Sequence, residues 1–514
     1  MKTTNAGTLV GKTVTLKDGE TKIHEFHNIR YAEAPVGELR FRPPLRHKEE
    51  SNDKEVSATK DDAIKCIQAT SGEGLEDCLV LTVRSGDLTA SKPVIMWIHG
   101  GGLAGGYGMQ VGYSFDSEVT HQINAVTVNI NYRLGFLGFS SVRELWDEDE
   151  GVYANNGIRD MVAALDWVQD NIAAFGGDPK SVTIIGESGG ATAVLALTCS
   201  PLANDKFHAA ISMSPAPEMR FTHERGDEFQ RSILDQAGCD QDTDNERKKC
   251  LMDLPASKFS FAQGVQVIKA SAYFDFPKSQ GEDAEYGGLI MIDPTVVTVS
   301  PRQLNSAGFT PSKPLPIIVS NCAQENYNVS SWPWQPPFKT MTDLKENLKP
   351  LFENLGADES VMEEVIALYP EQDPTTVWNL MTCDMRSTCP TNDVAEAMSA
   401  ASNRDIYRLY VSHKPSIGIP AFHAYDSWAL FGYNSDYDFT PKEMDKKFQT
   451  HYIEMVKQLS RYMKFDDGWT TFPENSMIYE NSERISNVLL NKPQQTECEK
   501  LEEEDLVQYG WQNK

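Results

Sequence analysis

The chain has 514 residues, 40 % of them hydrophobic, which is enough to bury a large core. Seventy-four acidic residues face 47 basic ones, for a formal net charge of −27; such a surface repels nucleic acid and anionic membrane, so neither is expected as a partner, and the excess acid reads first as solubility and second as attraction for cationic ligands. No apolar run approaches the ~20 residues of a transmembrane helix, and "MKTTNAGTLVGKTV" at the start lacks the apolar centre of a signal peptide, so the protein is either cytosolic or a secretory protein whose leader is absent from this sequence.

No internal repeat or low-complexity tract stands out. "PVIMWIHG" (93–100) is continuously apolar, as a strand covered on both faces is. It runs into the glycine loop "WIHGGGLAGG" (97–106), which offers consecutive backbone N–H groups without side-chain obstruction. "AVTVNINYRLGFLGF" (125–139) reads as a second strand ending in a glycine-punctuated loop. In "NGIRDMVAALDWVQDNIAAFGG" (156–177), Met161, Val162, Leu165, Trp167, Val168 and Ile172 fall at helical spacing, and Gly176 and Gly177 stop the helix. "SVTIIG" (181–186) is a strand and "ATAVLALTC" (191–199) a helix. "PLPIIVS" (314–320) and "RDIYRLYVS" (404–412) are later strands. The alternation predicts an α/β fold with a mostly parallel sheet covered by helices on both faces. Residues near 216–310 and 335–400 are richer in charge and helix, and no Pro/Gly/Ser linker sets them apart; they are expected as insertions over the active-site face of a single domain spanning 1–514.

Between the strand at 181–186 and the helix at 191–199 lies "GESGGATAV". The spacing Gly186-x-Ser188-x-Gly190 is that of a nucleophile elbow, where a strand turns sharply into a helix with serine at the apex. A serine hydroxyl at neutral pH needs a base, an acid to orient the base, and donors for the oxyanion. The histidines after Ser188 are His208, His223, His413, His423 and His451. His413 closes a predicted strand and His451 opens a helical pattern, whereas His423 lies in the loop "SIGIPAFHAYD", where a mobile base belongs. Glu325, in "LPIIVSNCAQEN", stands just past the carboxyl end of a strand, the face on which catalytic groups collect in open α/β sheets.

These stretches together resemble the type-B carboxylesterases, the cholinesterase/carboxylesterase group of the α/β-hydrolase superfamily. The resemblance begins at "IRYAEAPVGELRFRPP" (29–44), runs through "EDCLVLTV" (76–83), "WIHGGG", "NYRLGFLGF" and "NIAAFGGDPKSVTIIGESGG", and reaches the acid and histidine loops and a late cysteine. It implies an α/β-hydrolase fold, with Ser188 as nucleophile, Glu325 as acid and His423 as base. Gly101, Gly102 and Gly189 would supply the oxyanion amides. Glu187 matches the acidic residue preceding the serine, and Ser212 a buried serine behind it. Two departures stand out: Asn326 follows the acid where the family has glycine, and the base motif is His-Ala-Tyr-Asp rather than His-Gly-Tyr-Glu.

The resemblance also implies disulfides Cys66–Cys78, Cys239–Cys250 and Cys389–Cys498, which leave Cys199, Cys322 and Cys383 free of the nine cysteines. Spacing alone does not fix these pairs. Disulfides together with the glycosylation sequon at Asn328 ("NVS") point to the secretory pathway, with nine reduced cytosolic thiols as the alternative. In cholinesterases the loop matching 66–78 is long and carries the tryptophan that stacks on choline; here it is "CIQATSGEGLEDC", with no aromatic residue. Trp332 and Trp334 follow the acid loop and either line a gorge or pack elsewhere. The leading expectation is a serine ester hydrolase acting through an acyl-enzyme on small to medium uncharged esters, with no metal or cofactor. The alternatives are an acyl transferase or cyclising enzyme using the same triad, and a non-catalytic adhesion protein on the same fold. The sequence does not specify the oligomeric state.

Overall fold

The computed structural model describes all residues except 1, 5–6, 48–54, 61, 70, 217–220, 260–288, 305–313, 326–337, 372, 402, 414–419, 433–442, 466–468, 474–475, 482–483, 489–493, 505 and 507–514. An eleven-stranded sheet organises the chain. Its strands are β1 (Lys12–Thr15), β2 (Lys22–Arg30), β3 (Val80–Ser85), β4 (Lys92–Ile98), β5 (Val126–Ile130), β6 (Gly177–Glu187), β7 (Ala209–Met213), β8 (Leu315–Cys322), β9 (Arg404–Val411), β10 (Ser476–Asn481) and β11 (Arg484–Val488). They lie in the order β11-β10-β9-β8-β7-β6-β4-β5-β3-β2-β1. From β5 to β10 every junction is parallel. The four outer junctions are antiparallel, so the mostly parallel sheet expected from the sequence carries antiparallel margins on both sides. A separate three-stranded sheet joins Lys2–Thr4, Gly7–Val10 and Glu55–Ser57.

The apolar runs read from the sequence are buried on both faces for the reason the strand period gives. In β4, Val94, Met96 and Ile98 enter one hydrophobic cluster, while Ile95 and Trp97 enter the cluster on the opposite face. Ile317 and Val319 of β8 divide from Ile318 in the same way. Helix α1 (Asn156–Asn171) covers the first face with Ile158, Met161, Leu165 and Val168, all fully buried. Helices α5 (Tyr425–Phe431) and α6 (Glu443–Tyr462) cover the second, the first with Leu430 and Phe431 and the other with Phe448, Tyr452, Val456 and Leu459. α1 passes into a 3-10 turn at Ile172–Phe175, and Gly176 at φ 80° ends it, as the glycine pair predicts.

One element differs from the reading. "GFLGF", expected as loop, forms a buried five-residue helix, Gly135–Phe139. A Cβ at Gly138 would lie 2.2 Å from the Arg133 carbonyl oxygen, so this glycine permits close packing rather than a flexible turn. The helix-rich region after 335 contains Met341–Asn354, Glu359–Ala367, α3 (Pro374–Cys383), a π-helical turn at Asp384–Thr388 and α4 (Cys389–Ser399). With α7 (Gln495–Glu503) these helices form their own apolar cluster.

The three disulfides form as the resemblance implies: Cys66–Cys78, Cys239–Cys250 and Cys389–Cys498, with sequence separations of 12, 11 and 109. Cys199, Cys322 and Cys383 are free and buried. Restricting the unfolded chain gives about 3 kcal/mol for the short loops and about 5 kcal/mol for the long one. Cys498→Ser should therefore lower the unfolding midpoint more than Cys78→Ser, as thermal denaturation would measure. Denatured but unreduced protein should take up alkylating reagent at three thiols; uptake at nine would contradict the bridges.

Candidate active site

Strand β6 ends at Glu187 and helix α2 (Gly189–Thr198) starts two residues later. Ser188 between them has φ 55° and ψ −124°, a strained backbone for a residue with a Cβ. The surroundings over-determine this turn. Ser188 N–H donates to the Met213 carbonyl at 2.9 Å on the neighbouring strand β7, and its own carbonyl accepts from Thr192 N–H at 3.0 Å. Glycine on each side is obligatory: a Cβ at Gly186 would lie 2.5 Å from the Gly190 carbonyl oxygen, and one at Gly190 only 2.1 Å from that of Ile98. Ser212, on β7 opposite Gly186, is fully buried and its hydroxyl donates to the Ala191 carbonyl at 3.0 Å, tying the first turn of α2 to the sheet.

The glycine loop after β4 packs directly on this elbow. A Cβ at Gly189 would lie 2.7 Å from Leu103 N and 3.1 Å from Gly102 Cα. Gly101 and Gly102 are exposed, with φ of 104° and 63°. The Gly101 carbonyl accepts from the N–H groups of Ala104 and Gly105 at 3.0 and 2.9 Å, which curls the loop. His99 anchors its root, stacked on Tyr132 at 4.4 Å between ring centroids and bonded to the Gly100 carbonyl at 2.8 Å; burial pushes its pKa down to about 4, so it stays neutral. The loop closed by Cys66–Cys78 grips the glycine loop from the other side. Gln68 exchanges hydrogen bonds with the Gly106 amide and carbonyl, and Ala69 N–H donates to the Ala104 carbonyl at 2.7 Å.

Glu325 and His423 are brought together by backbone pairing. Gln324 N–H donates to the Ala421 carbonyl at 2.9 Å, and Gln324 forms a parallel bridge with Phe422. The next residue on each side is therefore Glu325 beside His423. His423 Nδ1 donates to Glu325 Oε2 at 2.6 Å, and Glu325 Oε1 accepts from Cys322 N–H at the same distance. Nε2 stands 3.2 Å from Glu187 Oε1, one residue before Ser188. Glu325 is 2 % exposed, whereas the His423 side chain keeps 22 %.

Several charges here are buried together. Burial disfavours the His423 cation, but the carboxylate of Glu187 and the hydrogen bond to Glu325 outweigh it and hold the pKa above the usual imidazole range. Burial pushes Glu187 up to about 8, against the pull of His423 and with the help of Asp426 and Glu325. Asp426 rises to about 7 through burial and repulsion from Glu325; it accepts from the Ser320 hydroxyl at 3.0 Å and from Ser427 N–H at 2.9 Å. The Tyr113 hydroxyl donates to Glu187 Oε2. A Cβ at Gly100 would fall 2.4 Å from that hydroxyl, so the residue before Gly101 and Gly102 is also fixed by the site.

The other histidines stay out of the site. His413 is fully buried near Tyr425 and Phe448, 3.9 Å from Asp445. His208 bonds to the carbonyls of Val182 and Ser460. His223 opens the helix His223–Ala237, and His451 lies inside α6 rather than at its start. Tyr113, Asp426 and His99 were not singled out from the sequence. Asp426 was within reach, as the final residue of the His-Ala-Tyr-Asp stretch; nothing in the sequence links Tyr113 to Glu187. Asn326, Asn328, Trp332 and Trp334 lie outside the described residues. Among the described residues no group of three His, Cys, Asp or Glu side chains is arranged to hold a metal ion.

A parallel sheet with a serine elbow, a glycine loop above it and a carboxylate–imidazole pair at the same edge is the architecture of an α/β-hydrolase. The sequence profile of the carboxylesterase family matches residues 1–500, and the chain belongs to that family. It is 43 % identical over 230 residues to carboxylesterase 1D of Rattus norvegicus, covering 40 % of this chain and 38 % of that one. It is 34 % identical over 342 residues to a medium-chain fatty acyl-CoA hydrolase precursor of Anas platyrhynchos, covering 62 % and 56 % respectively. A phenmedipham hydrolase of Pseudarthrobacter oxydans is 39 % identical over 222 residues, 41 % of this chain and 42 % of that one. These matches span about half or less of each relative's length. A solved PNB esterase superposes over 97 % of this chain and 99 % of its own, with a TM-score of 0.73 and 25 % identity.

Removing the Glu187 charge should make the His423 imidazolium easier to deprotonate. In Glu187→Gln the titration midpoint of His423, followed by imidazole NMR, should fall by roughly one pH unit. An unchanged midpoint would show that the two groups are not coupled.

Proposed function

We propose that the chain is a serine carboxylic-ester hydrolase that works through an acyl-enzyme, with Ser188, His423 and Glu325 as its triad. The observation that carries this reading is the strained turn that holds Ser188 directly beneath an exposed glycine loop, at the sheet edge where Glu325 grips His423. Neutral His423 takes the Ser188 proton at Nε2 as Oγ bonds to the ester carbonyl carbon. The amides of Gly101, Gly102 and Gly189 hold the resulting oxyanion, and Glu325 steadies the imidazolium through Nδ1. Collapse breaks the ester C–O bond, and the departing alcohol takes the proton from His423. Water, deprotonated by the same imidazole, then releases the acid and restores Ser188. The relatives' names, carboxylesterase and acyl-CoA or phenmedipham hydrolase, support an ester-cleaving reading for this chain.

Uncharged esters suit the site better than choline esters. The Cys66–Cys78 loop carries no aromatic residue, and Tyr107, just past the glycine loop, already has the Lys65 ammonium 4.5 Å above its ring. The three disulfides favour an oxidising, secretory environment. No described helix is long and apolar enough to cross a membrane. Asn328 would be the glycosylation site under that reading.

A fluorophosphonate should label the peptide containing "GESGGATAV". Ser188→Ala should abolish labelling and lower kcat by about 10⁴-fold or more, with labelling elsewhere or surviving turnover ruling the nucleophile out. His423→Ala should inactivate, and His413→Ala should affect stability first. Acetylcholine should give a lower kcat/KM than a neutral acetyl ester, because the Cys66–Cys78 loop has no aromatic residue to supply stacking worth roughly 0.5–2 kcal/mol.

A further inference from the structure

The acid loop is held by a second set of groups that the triad itself does not explain. Glu325 has its carboxylate fixed by Cys322 N–H and His423, and its own N–H donates to the Cys383 sulfur at 3.4 Å. Cys383 is fully buried at the end of α3, where the π-helical turn Asp384–Thr388 begins. Its Sγ lies 3.8 Å from the Cys322 carbonyl and 3.7 Å from Thr388 Oγ1. That last contact depends on the turn. At 3.6 residues per turn, side chains five apart point about 140° from one another, whereas the wider π turn, bonded i→i+5, brings them toward the same side. Thr388 Oγ1 also accepts from Asn321 Nδ2 at 3.2 Å, and Asn321 Nδ2 donates to the Cys322 carbonyl at 3.0 Å. The strand end that carries the acid and the turn that carries the thiol are thus stitched together at three points.

The network continues. Arg408 on β9, fully buried, donates to Asn321 Oδ1, and to Asn392 Oδ1 of α4 at 3.0 Å. Asn392 Nδ2 reaches Sγ of Cys498, the partner of Cys389 in the long disulfide, at 3.7 Å. From these contacts we propose that Cys383 and Thr388, aligned by the π-helical turn, are positioning residues that set the place of Glu325 against His423, an assignment that rests on the triad proposed above.

Cys383 forms no bond with substrate in this scheme; its sulfur accepts the amide hydrogen bond that fixes where the Glu325 side chain starts. The charged groups facing His423 are Glu325, Glu187 and Asp426, and those facing Glu325 are His423, Glu187, Asp426 and Arg408. If Glu325 drifts, Glu187 and Asp426 remain in place, and only the Glu325 share of imidazolium stabilisation is lost. The base is active when neutral, so its acidic limb moves to lower pH while the maximal rate falls.

The experiment compares Cys383→Ala, Cys383→Ser, Thr388→Val and Glu325→Gln with wild type in kcat, KM, the acidic limb of kcat/KM and the thermal midpoint. Cys383→Ala should lower kcat about tenfold, as small misplacements of a reacting group do, with KM within about twofold. Its acidic limb should move the same way as that of Glu325→Gln. Cys383→Ser, which keeps an acceptor, should recover part of kcat, and Thr388→Val should show a smaller loss of the same kind. Should Cys383→Ala fail to fold, the serine and valine variants decide by the same criteria. Rates that fall with no movement of the limb, or no kinetic change in the folded variants, overturn the assignment while leaving the triad intact. A Glu325→Gln protein with full kcat overturns the triad reading and the assignment with it.

Discussion

The arrangement hangs on one imidazole set among buried carboxylates. Glu325, Glu187 and Asp426 all lie at the carboxyl edge of the sheet, each at most 2 % exposed, and His423 is the cationic partner they share. Burying one carboxylate without compensation is costly, and burying three in close range is possible only if some hold protons or find donors. Asp426, pushed up to about 7, takes a proton readily, and the His423 cation draws Glu187 back against the upward push of burial. Donors supply the rest: Cys322 N–H on Glu325, Ser427 N–H and the Ser320 hydroxyl on Asp426, and the Tyr113 hydroxyl on Glu187.

That edge exists because parallel strands end together. β6, β7 and β8 run side by side and leave Glu187, Ser214 and Cys322 at neighbouring heights, and Ser214 N–H donates to the Ser320 carbonyl across the step. The strand margins differ in kind, being antiparallel where the sheet meets its outer strands. The site takes one half from each side of the elbow: the glycine loop from β4, and the acid and imidazole from the loops after β8 and β9. Each half has a covalent tie behind it. Cys66–Cys78 closes the loop that grips the glycines, and Cys389–Cys498 joins the helices packed against the acid loop.

Much of this was legible in the chain because local signals and tertiary demands coincide. Alternating clusters on β4, the cap at Gly176 and the paired glycines around Ser188 are local patterns with one steric solution each. The disulfide pairs were legible only through family resemblance, since loop spacing permits many connectivities. What the chain hid depends on contacts distant in sequence. Gly135 and Gly138 read as loop because glycine is a weak helix former, yet the segment is helical and Gly138 packs closely on the Arg133 carbonyl. The π-helical turn has no signature of its own. Tyr113 reaches Glu187 from 74 positions away, and no periodicity records such a pairing.

The two thiols beside the acid loop carry one more implication. Cys322 and Cys383 have no exposed surface in the folded chain, and burial keeps both protonated and inert. A thiol-directed reagent can reach them only when the region opens, so at reagent concentrations that outpace reclosing the rate of their modification in native protein measures the frequency of that opening rather than any reactivity of sulfur. The chain thus contains a built-in clock for the breathing of its own acid loop, readable without substrate and without turnover.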